Sequence, residues 1–270
     1  MLTKCLLAAI LVLEVCWAIP HSLKPRITDS NDAELGEFPY LVSVQWGFPP
    51  LKSYSHVCGG AILNEKYILT AAHCIPKYGK LRVVAGKYYL NKHEQSEVIV
   101  DVVNTIIHSQ YHTDSEENDL ALLKLEYPLK FNNFVSAVAL PEPKAELSGE
   151  AVLSGWGSTS KLPLPIYSNV LQKAVVPILE NADCLQELTK DHLIGKVPKL
   201  FDSEVCTGVA GKEVSACIGD AGDPLVQIVD DSPVLVGIVS WNILPCGSRH
   251  MPTIYARVSS FIEWINEYAV

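Results

Sequence analysis

Apolar residues come in short runs along this chain, many of them alternating with polar residues, and turn-forming residues separate the runs. Tyr40 to Trp46, Ala61 to Leu69, Leu81 to Ala85, Glu97 to Ile107, Leu120 to Leu125, Ala151 to Trp156, Val170 to Ile178 and Pro233 to Trp241 read as strands, many rich in Val and Ile. The pattern predicts an all-β protein. One helical exception closes the chain, where Phe261, Ile262, Trp264, Ile265 and Tyr268 recur at helical spacing behind the candidate caps Ser259 and Ser260. A second helix is predicted over Asn181 to Leu188. No internal repeat, low-complexity block or Gly/Ser linker divides the chain.

The length of 270 residues, with 49% hydrophobic and 19% charged, suits one large or two small cores and excludes disorder. The formal net charge is −9 and the basic residues do not cluster, so a nucleic-acid partner is not expected. Lys4 precedes an apolar run from Cys5 to Cys16, broken by Glu14, and Cys16-Trp17-Ala18 ends it with the small residues a signal peptidase reads. Residues 1–18 are therefore expected to be an export signal and 19–26 a short pro-segment. The run is too short for a spanning helix, so no membrane association is expected of the mature, secreted chain.

Export changes how the cysteines read. Cys58, Cys74, Cys184, Cys206, Cys217 and Cys246 remain, an even number in an oxidising compartment, and disulfides are the default. No C-x-x-C pair occurs and the spacings do not suit a tetrahedral cluster, so no metal is expected there. Spacing does not choose among the possible pairings.

Thr70-Ala71-Ala72-His73-Cys74 follows a predicted strand, and Asn118-Asp119-Leu120-Ala121-Leu122-Leu123 opens another. Ser154-Gly155-Trp156-Gly157 and Gly219-Asp220-Ala221-Gly222-Asp223-Pro224 come later, in that order. Together they resemble the chymotrypsin-like (S1) serine protease family across the span from Ile27 to Val270. The wording around Val57-Cys58-Gly59-Gly60-Ala61-Ile62-Leu63-Asn64-Glu65 and Gly86-Lys87-Tyr88 resembles the arthropod members. The resemblance implies two six-stranded antiparallel β-barrels with the cleft between them and a C-terminal α-helix against the first. The barrels would cover about 27–140 and 141–257, and the helix 258–270.

Chemistry of this class needs a hydroxyl nucleophile, an imidazole to take its proton and a carboxylate to orient the imidazole and offset its charge. The resemblance makes His73 the base and Asp119 the orienting carboxylate. The nucleophile position falls on Ala221, whose methyl has no lone pair to attack a carbonyl. Losing the nucleophile costs about 10⁶-fold in turnover in a protease of this constellation. Gly219 and the Ala221 backbone N–H match the oxyanion hole, which could persist without a nucleophile.

Other positions depart in the same direction. The family's second glycine after the nucleophile is Asp223, which would place a carboxylate where the backbone turns beside the oxyanion hole, and pocket-wall glycines fall on Asn242, in Ser240-Trp241-Asn242, and on Thr253. Side chains at both walls should narrow or close the primary pocket. Ser215 stands at the pocket floor instead of an aspartate, so selection of Lys or Arg is not implied. Arg26-Ile27 resembles an activation cleavage point whose new amino group would pair with Asp220, yet Ile27-Thr28-Asp29-Ser30 lacks the family's pivot glycines.

The resemblance also implies the disulfides Cys58–Cys74, Cys184–Cys206 and Cys217–Cys246. Some members bind calcium in a loop that here reads Gly86-Lys87 with Glu94 and Glu97 downstream, and a Lys87 ammonium would compete with the cation. His108 and His112 near Asp114, Glu116 and Glu117 read as a solvated, mobile surface loop, and no Asn-x-Ser/Thr sequon occurs.

These readings converge on a secreted, monomeric protease homologue without a nucleophile, needing no cofactor and acting by binding a protein or peptide as decoy, cofactor or regulator of proteolysis. The alternative is a serine endopeptidase of chymotrypsin-like or elastase-like specificity, in which Ala221 is an introduced replacement or another hydroxyl serves. Ser215 and Ser240 are the cleft serines available for that, and Asp223, Asn242 and Thr253 argue against a simple replacement.

Overall fold

Val, Ile and Leu at alternating positions give strands one buried face each, and the computed structural model closes those strands into barrels. It describes residues 31–158, 165–190, 199–208, 215–243, 246 and 252–269. The expected export signal, the pro-segment and the Arg26-Ile27 bond lie outside the described residues.

A two-residue strand β1 (Asn31–Asp32) precedes the first barrel, which is built from β2 (Leu41–Phe48), β3 (Lys52–Ile62), β4 (Tyr67–Thr70), β5 (Lys80–Ala85), β6 (Val98–Ile107) and β7 (Ala121–Leu125). These six strands close in the order β2-β3-β4-β7-β6-β5. The second barrel uses β8 (Glu150–Gly155), β9 (Gln172–Leu179), β10 (Glu204–Thr207), β11 (Pro224–Val229), β12 (Ser232–Asn242) and β13 (Thr253–Arg257). They run β9-β10-β13-β12-β11-β8, β8 returns to β9 to close the ring, and β1 adds to β9 outside it. Every ladder is antiparallel. The helix α1 (Asn181–Lys190) leaves β9, and α2 (Ile262–Tyr268) follows a 3₁₀ turn at Val258–Ser260.

Leu41, Ile62, Ile68, Leu69, Leu120, Leu122 and Leu123 fill the first barrel, and Leu153, Leu225 and Tyr255 fill the second. The larger apolar cluster continues from the first barrel through Trp156 to Val226, Ile238 and Phe261, so the two barrels share a seam. The disulfides Cys58–Cys74, Cys184–Cys206 and Cys217–Cys246 all form, as the resemblance implied.

Several expectations need correction. Ala61 to Leu69 is not one strand, because Asn64 turns the chain by accepting the N–H groups of Lys66 and Tyr67 on its side-chain oxygen. Neither Ser259 nor Ser260 caps the last helix: Phe261 occupies the N-cap without a side-chain cap bond, and the Ser259 hydroxyl donates instead to the Ala145 carbonyl at 3.3 Å. In place of one helix over 258–270, the described residues form a 3₁₀ turn at Val258–Ser260 and a shorter α-helix at Ile262–Tyr268. That helix does lie against the first barrel, where His108 packs edge-on between Phe261 and Trp264, and Asn64 donates to the Ala269 carbonyl.

Leu122 is fully buried with its neighbours on β7, so Leu122→Ala should lower the free energy of unfolding by about 2–5 kcal/mol, read by chemical denaturation of the intact disulfide form.

Candidate functional site

The short 3₁₀ turn Ala72–Cys74 leaves β4 and carries His73 to the seam, where the Cys58–Cys74 disulfide fastens it to β3. Asp119 immediately precedes β7 and is buried there. Its Oδ2 accepts His73 Nδ1–H at 2.7 Å and the Ser240 hydroxyl at 2.6 Å, while Oδ1 accepts the His73 backbone N–H at 2.9 Å. Three donors therefore hold one carboxylate, and that carboxylate fixes the imidazole tautomer with the proton on Nδ1.

Burial alone would lower the His73 pKa. The Asp119 hydrogen bond and the charges of Asp119 and Glu116 outweigh it and leave the group raised. Both carboxylates favour the protonated ring.

Ala221 follows Gly219 and Asp220 on the opposite wall, in a loop whose backbone is pinned from several sides. Gly59 N–H on β3 donates to the Ala221 carbonyl at 2.7 Å, Gly222 N–H to Val239 at 2.8 Å, and Asp223 N–H to Asp220 at 2.9 Å. Gly219 and Gly222 have φ of 101° and 82°, which β-carbon-bearing residues rarely adopt. Asp223 has no such φ. His56 reaches over from the first barrel, where its Nε2–H donates to the Gly219 carbonyl at 2.9 Å and Nδ1 accepts the Ser43 hydroxyl at 2.8 Å. Burial lowers its pKa to about 4, so the ring is neutral at physiological pH.

The cleft between these walls has a volume of about 630 Å³, and Trp46, His73, Glu116, Ala221, Trp241 and Asn242 line it. No described hydroxyl hydrogen-bonds to the His73 ring. Ser240 is committed to Asp119, and Ser215 is buried.

The pocket walls are bridged. Asn242 Nδ2 donates to the Ala216 carbonyl on the facing wall and lies 3.8 Å from Cys246 Sγ. Thr253 Oγ1 accepts Ala216 N–H at 2.9 Å. Trp241 is held from behind by Glu204, whose Oε1 accepts its indole N–H at 3.1 Å and whose pKa burial raises to about 7. Both wall substitutions thus turn toward Ala216.

Asp220 is buried, and its carboxylate accepts Gly157 N–H at 2.6 Å and Cys217 N–H at 2.8 Å. Asp223 does not stand beside the cleft as its sequence position suggests. It turns inward, between Gly59 and Gly155, where a β-carbon on either glycine would overlap a carboxylate oxygen. Gly157 is needed for the same reason by Asp220. The Ser154-Gly155-Trp156-Gly157 motif is small where two carboxyls must fit.

Glu116, read from sequence as part of a mobile surface run, lines the cleft half-buried with φ of 54° and accepts the Tyr111 hydroxyl at 2.7 Å. His56 and Glu204 were missed because their partners, the Gly219 carbonyl and the Trp241 indole, are far away in sequence, and Glu116 was named but read as surface charge. Its place three residues before Asp119 was the available signal.

Two groups of potential metal ligands occur among the described residues. Cys58 and Cys74 in one are bonded to each other, and Asp119 in the other already serves His73 and Ser240. In the loop after β5 the Lys87 ammonium occupies the charge centre, donating to Glu97 Oε1 and to the Lys92 carbonyl, while Glu94 Oε2 accepts the N–H groups of Tyr88 and Tyr89. The ammonium takes the place a cation would need.

Replacing Asp119 with Asn removes its charge and its charge-assisted hydrogen bond and leaves Glu116 as the one remaining group that raises His73, so the NMR titration midpoint of the imidazole should fall below the wild-type value in Asp119→Asn. The stability that His73 gains from pairing is present below its unfolded pKa and is lost as pH rises through the raised folded value, so thermal stability of the variant should change less over that window.

A family model described as trypsin matches residues 27–265. Trypsin-1 of Astacus astacus is 37% identical over 254 residues, 90% of this chain and all of that protein. The lectizyme of Glossina austeni is 34% identical over 253 residues, covering 90% of this chain and 86% of its own. The serine proteinase stubble of Drosophila melanogaster is 34% identical over 265 residues, 93% of this chain and 32% of that longer protein. With the paired barrels, the His73–Asp119–Ser240 cluster and the pinned Gly219–Ala221 loop already in place, these similarities establish that the chain belongs to the chymotrypsin-like (S1) serine protease family.

Proposed function

We propose that this chain is a secreted protease homologue that no longer cleaves and acts by holding a protein or peptide segment in its cleft. One observation carries the reading: the side chain facing His73 from the nucleophile position is the Ala221 methyl, in a site otherwise assembled for acyl transfer. With no hydroxyl to deprotonate, the raised His73 has nothing to activate. The loop carrying the Gly219 and Ala221 N–H groups stays fixed by backbone bonds, so a carbonyl of a bound segment still meets donors without being attacked.

The bridged pocket supports the same reading. Asn242 spans the walls that would grip a substrate side chain, so a bound segment would rest along the apolar and aromatic rim instead of anchoring deeply. Trp46 and Trp241 offer that rim contact. The partner is a polypeptide, because the cleft shape and its carbonyl-directed donors suit an extended main chain. His73 is a retained base position, Asp119 its orienting carboxylate, and the chain works as a monomer. No helix among the described residues is long and apolar enough to cross a membrane.

A fluorophosphonate probe applied after trypsin treatment should leave the wild-type protein unlabelled by intact mass, and a stoichiometric adduct would reject the reading. Ala221→Ser alone should label slowly and hydrolyse peptide esters poorly because the pocket remains bridged. Adding Asn242→Gly to Ala221→Ser should raise kcat/KM above that of the single variant, and equal rates for the two would remove the pocket from the argument.

A further inference from the structure

Asp220 and Asp223 lie together in the seam, and among the described residues no positive group pairs with either. Neither Asp223 oxygen meets a hydrogen-bond donor when both carboxyls are counted as ionised, although the residue is wholly buried. The elements packed around it supply little. β3 presents Gly59, β8 presents Gly155, and β12 presents the Val239 N–H, which goes to the Asp223 backbone carbonyl. β13 presents the Tyr255 hydroxyl, which is paired with Thr207 at 3.0 Å. Neither Asp220 nor Asp223 forms an ion pair with a Lys, Arg or His among the described residues. The remaining group facing Asp223 is the Asp220 carboxyl, which already accepts two backbone N–H groups.

Two adjacent buried like charges disfavour each other's ionisation, and an unsatisfied buried carboxylate is costly. One proton resolves both problems. It gives Asp223 a donor, aimed at the acceptor that already anchors the loop.

We propose that Asp223 is a positioning residue: protonated, it donates to the Asp220 carboxylate, and the resulting monoanionic pair holds the Cys217–Asp223 loop in place without an incoming cation. Its neighbourhood agrees in sign. Burial raises Asp220 to about 6 and Asp223 well above the ordinary carboxylate range, the charge of Asp220 adding to the second, so the proton resides on Asp223. In this arrangement the carboxyl of Asp223 does what an amino terminus released at Arg26-Ile27 would do, and the cleft wall is assembled in the uncut chain. The inference goes beyond the binding reading and does not rest on it, since it concerns the wall and not its occupant.

The test uses the full chain, made uncuttable by Arg26→Gln, and infrared difference spectroscopy at neutral pH. This protein should show the carbonyl stretch of a buried protonated carboxyl, deuterium-shifted, which Asp223→Asn lacks. Glu204 contributes to both spectra and cancels. Identical spectra would overturn the proposal, and Asp223→Gly replaces the Asn variant in the comparison if the latter does not fold. Thermal stability gives a second readout. A carboxyl raised on folding costs stability progressively as pH rises from its unfolded pKa toward its folded one. Asp223→Asn should therefore gain stability relative to wild type as pH rises above about 4, with a slope reduced by about one proton. An unchanged slope would count against the pair. Finally, wild-type protein cut at Arg26-Ile27 should keep the band and leave the Ile27 amino group open to cyanate. Loss of the band with a protected Ile27 would show that the ammonium, not Asp223, is the partner of Asp220.

Discussion

The hydrogen bond from Gly59 N–H to the Ala221 carbonyl joins the two barrels at the point where the chemistry of this family is done. It requires β3 to approach the Cys217–Asp223 loop closely, and Gly59 and Gly222 provide that clearance. Gly59, Gly155 and Gly157 leave the space that the Asp220 and Asp223 carboxyls occupy. His56 adds a second link across the seam through the Gly219 carbonyl, and burial keeps that ring neutral so that its one N–H stays directed there. The cleft is thus defined less by the groups that face it than by the backbone contacts behind it.

The two sides of the cleft have fared differently. On the first barrel, Asp119 retains three donors and His73 retains its tautomer and raised pKa. On the second, the nucleophile position carries a methyl, Asn242 crosses the pocket, and Asp223 fills space that a glycine would leave. The half of the site that holds His73 keeps the family's motif residues, while the half that carries Ala221 and Asn242 departs from the family pattern. Removing an oxygen at 221 leaves the cavity and its backbone bonds in place, and so costs the scaffold little.

Most of the architecture could be read from the chain. The alternating apolar runs marked most of the longer strands, the terminal periodicity marked the last helix, and the motifs around His73, Asp119, Gly155 and Gly219 pointed to the cleft. Of β3 only Ala61 and Ile62 were read, the two-residue β1 was not read, and the other unread strands were β10, β11 and β13. They are only four to six residues long and are buried on both faces at several positions, so they show no clean alternation. Direction was harder to read than location. A carboxylate at 223 next to a turn looked cleft-facing, and only the space beside Gly59 and Gly155 shows that it points inward. Glu116 looked like solvent-facing charge until Tyr111 and the positive φ turned it toward His73. Such contacts depend on residues brought together by barrel closure, which local sequence does not encode.

Under the proposed binding function, the Ala221 methyl has a consequence for scale. An enzyme multiplies its effect, because each molecule is freed to act again on fresh substrate. A cleft that releases its occupant intact has no such gain, so its influence tracks copy number and dwell time, and a cell relying on it must make it in amounts comparable to whatever it restrains.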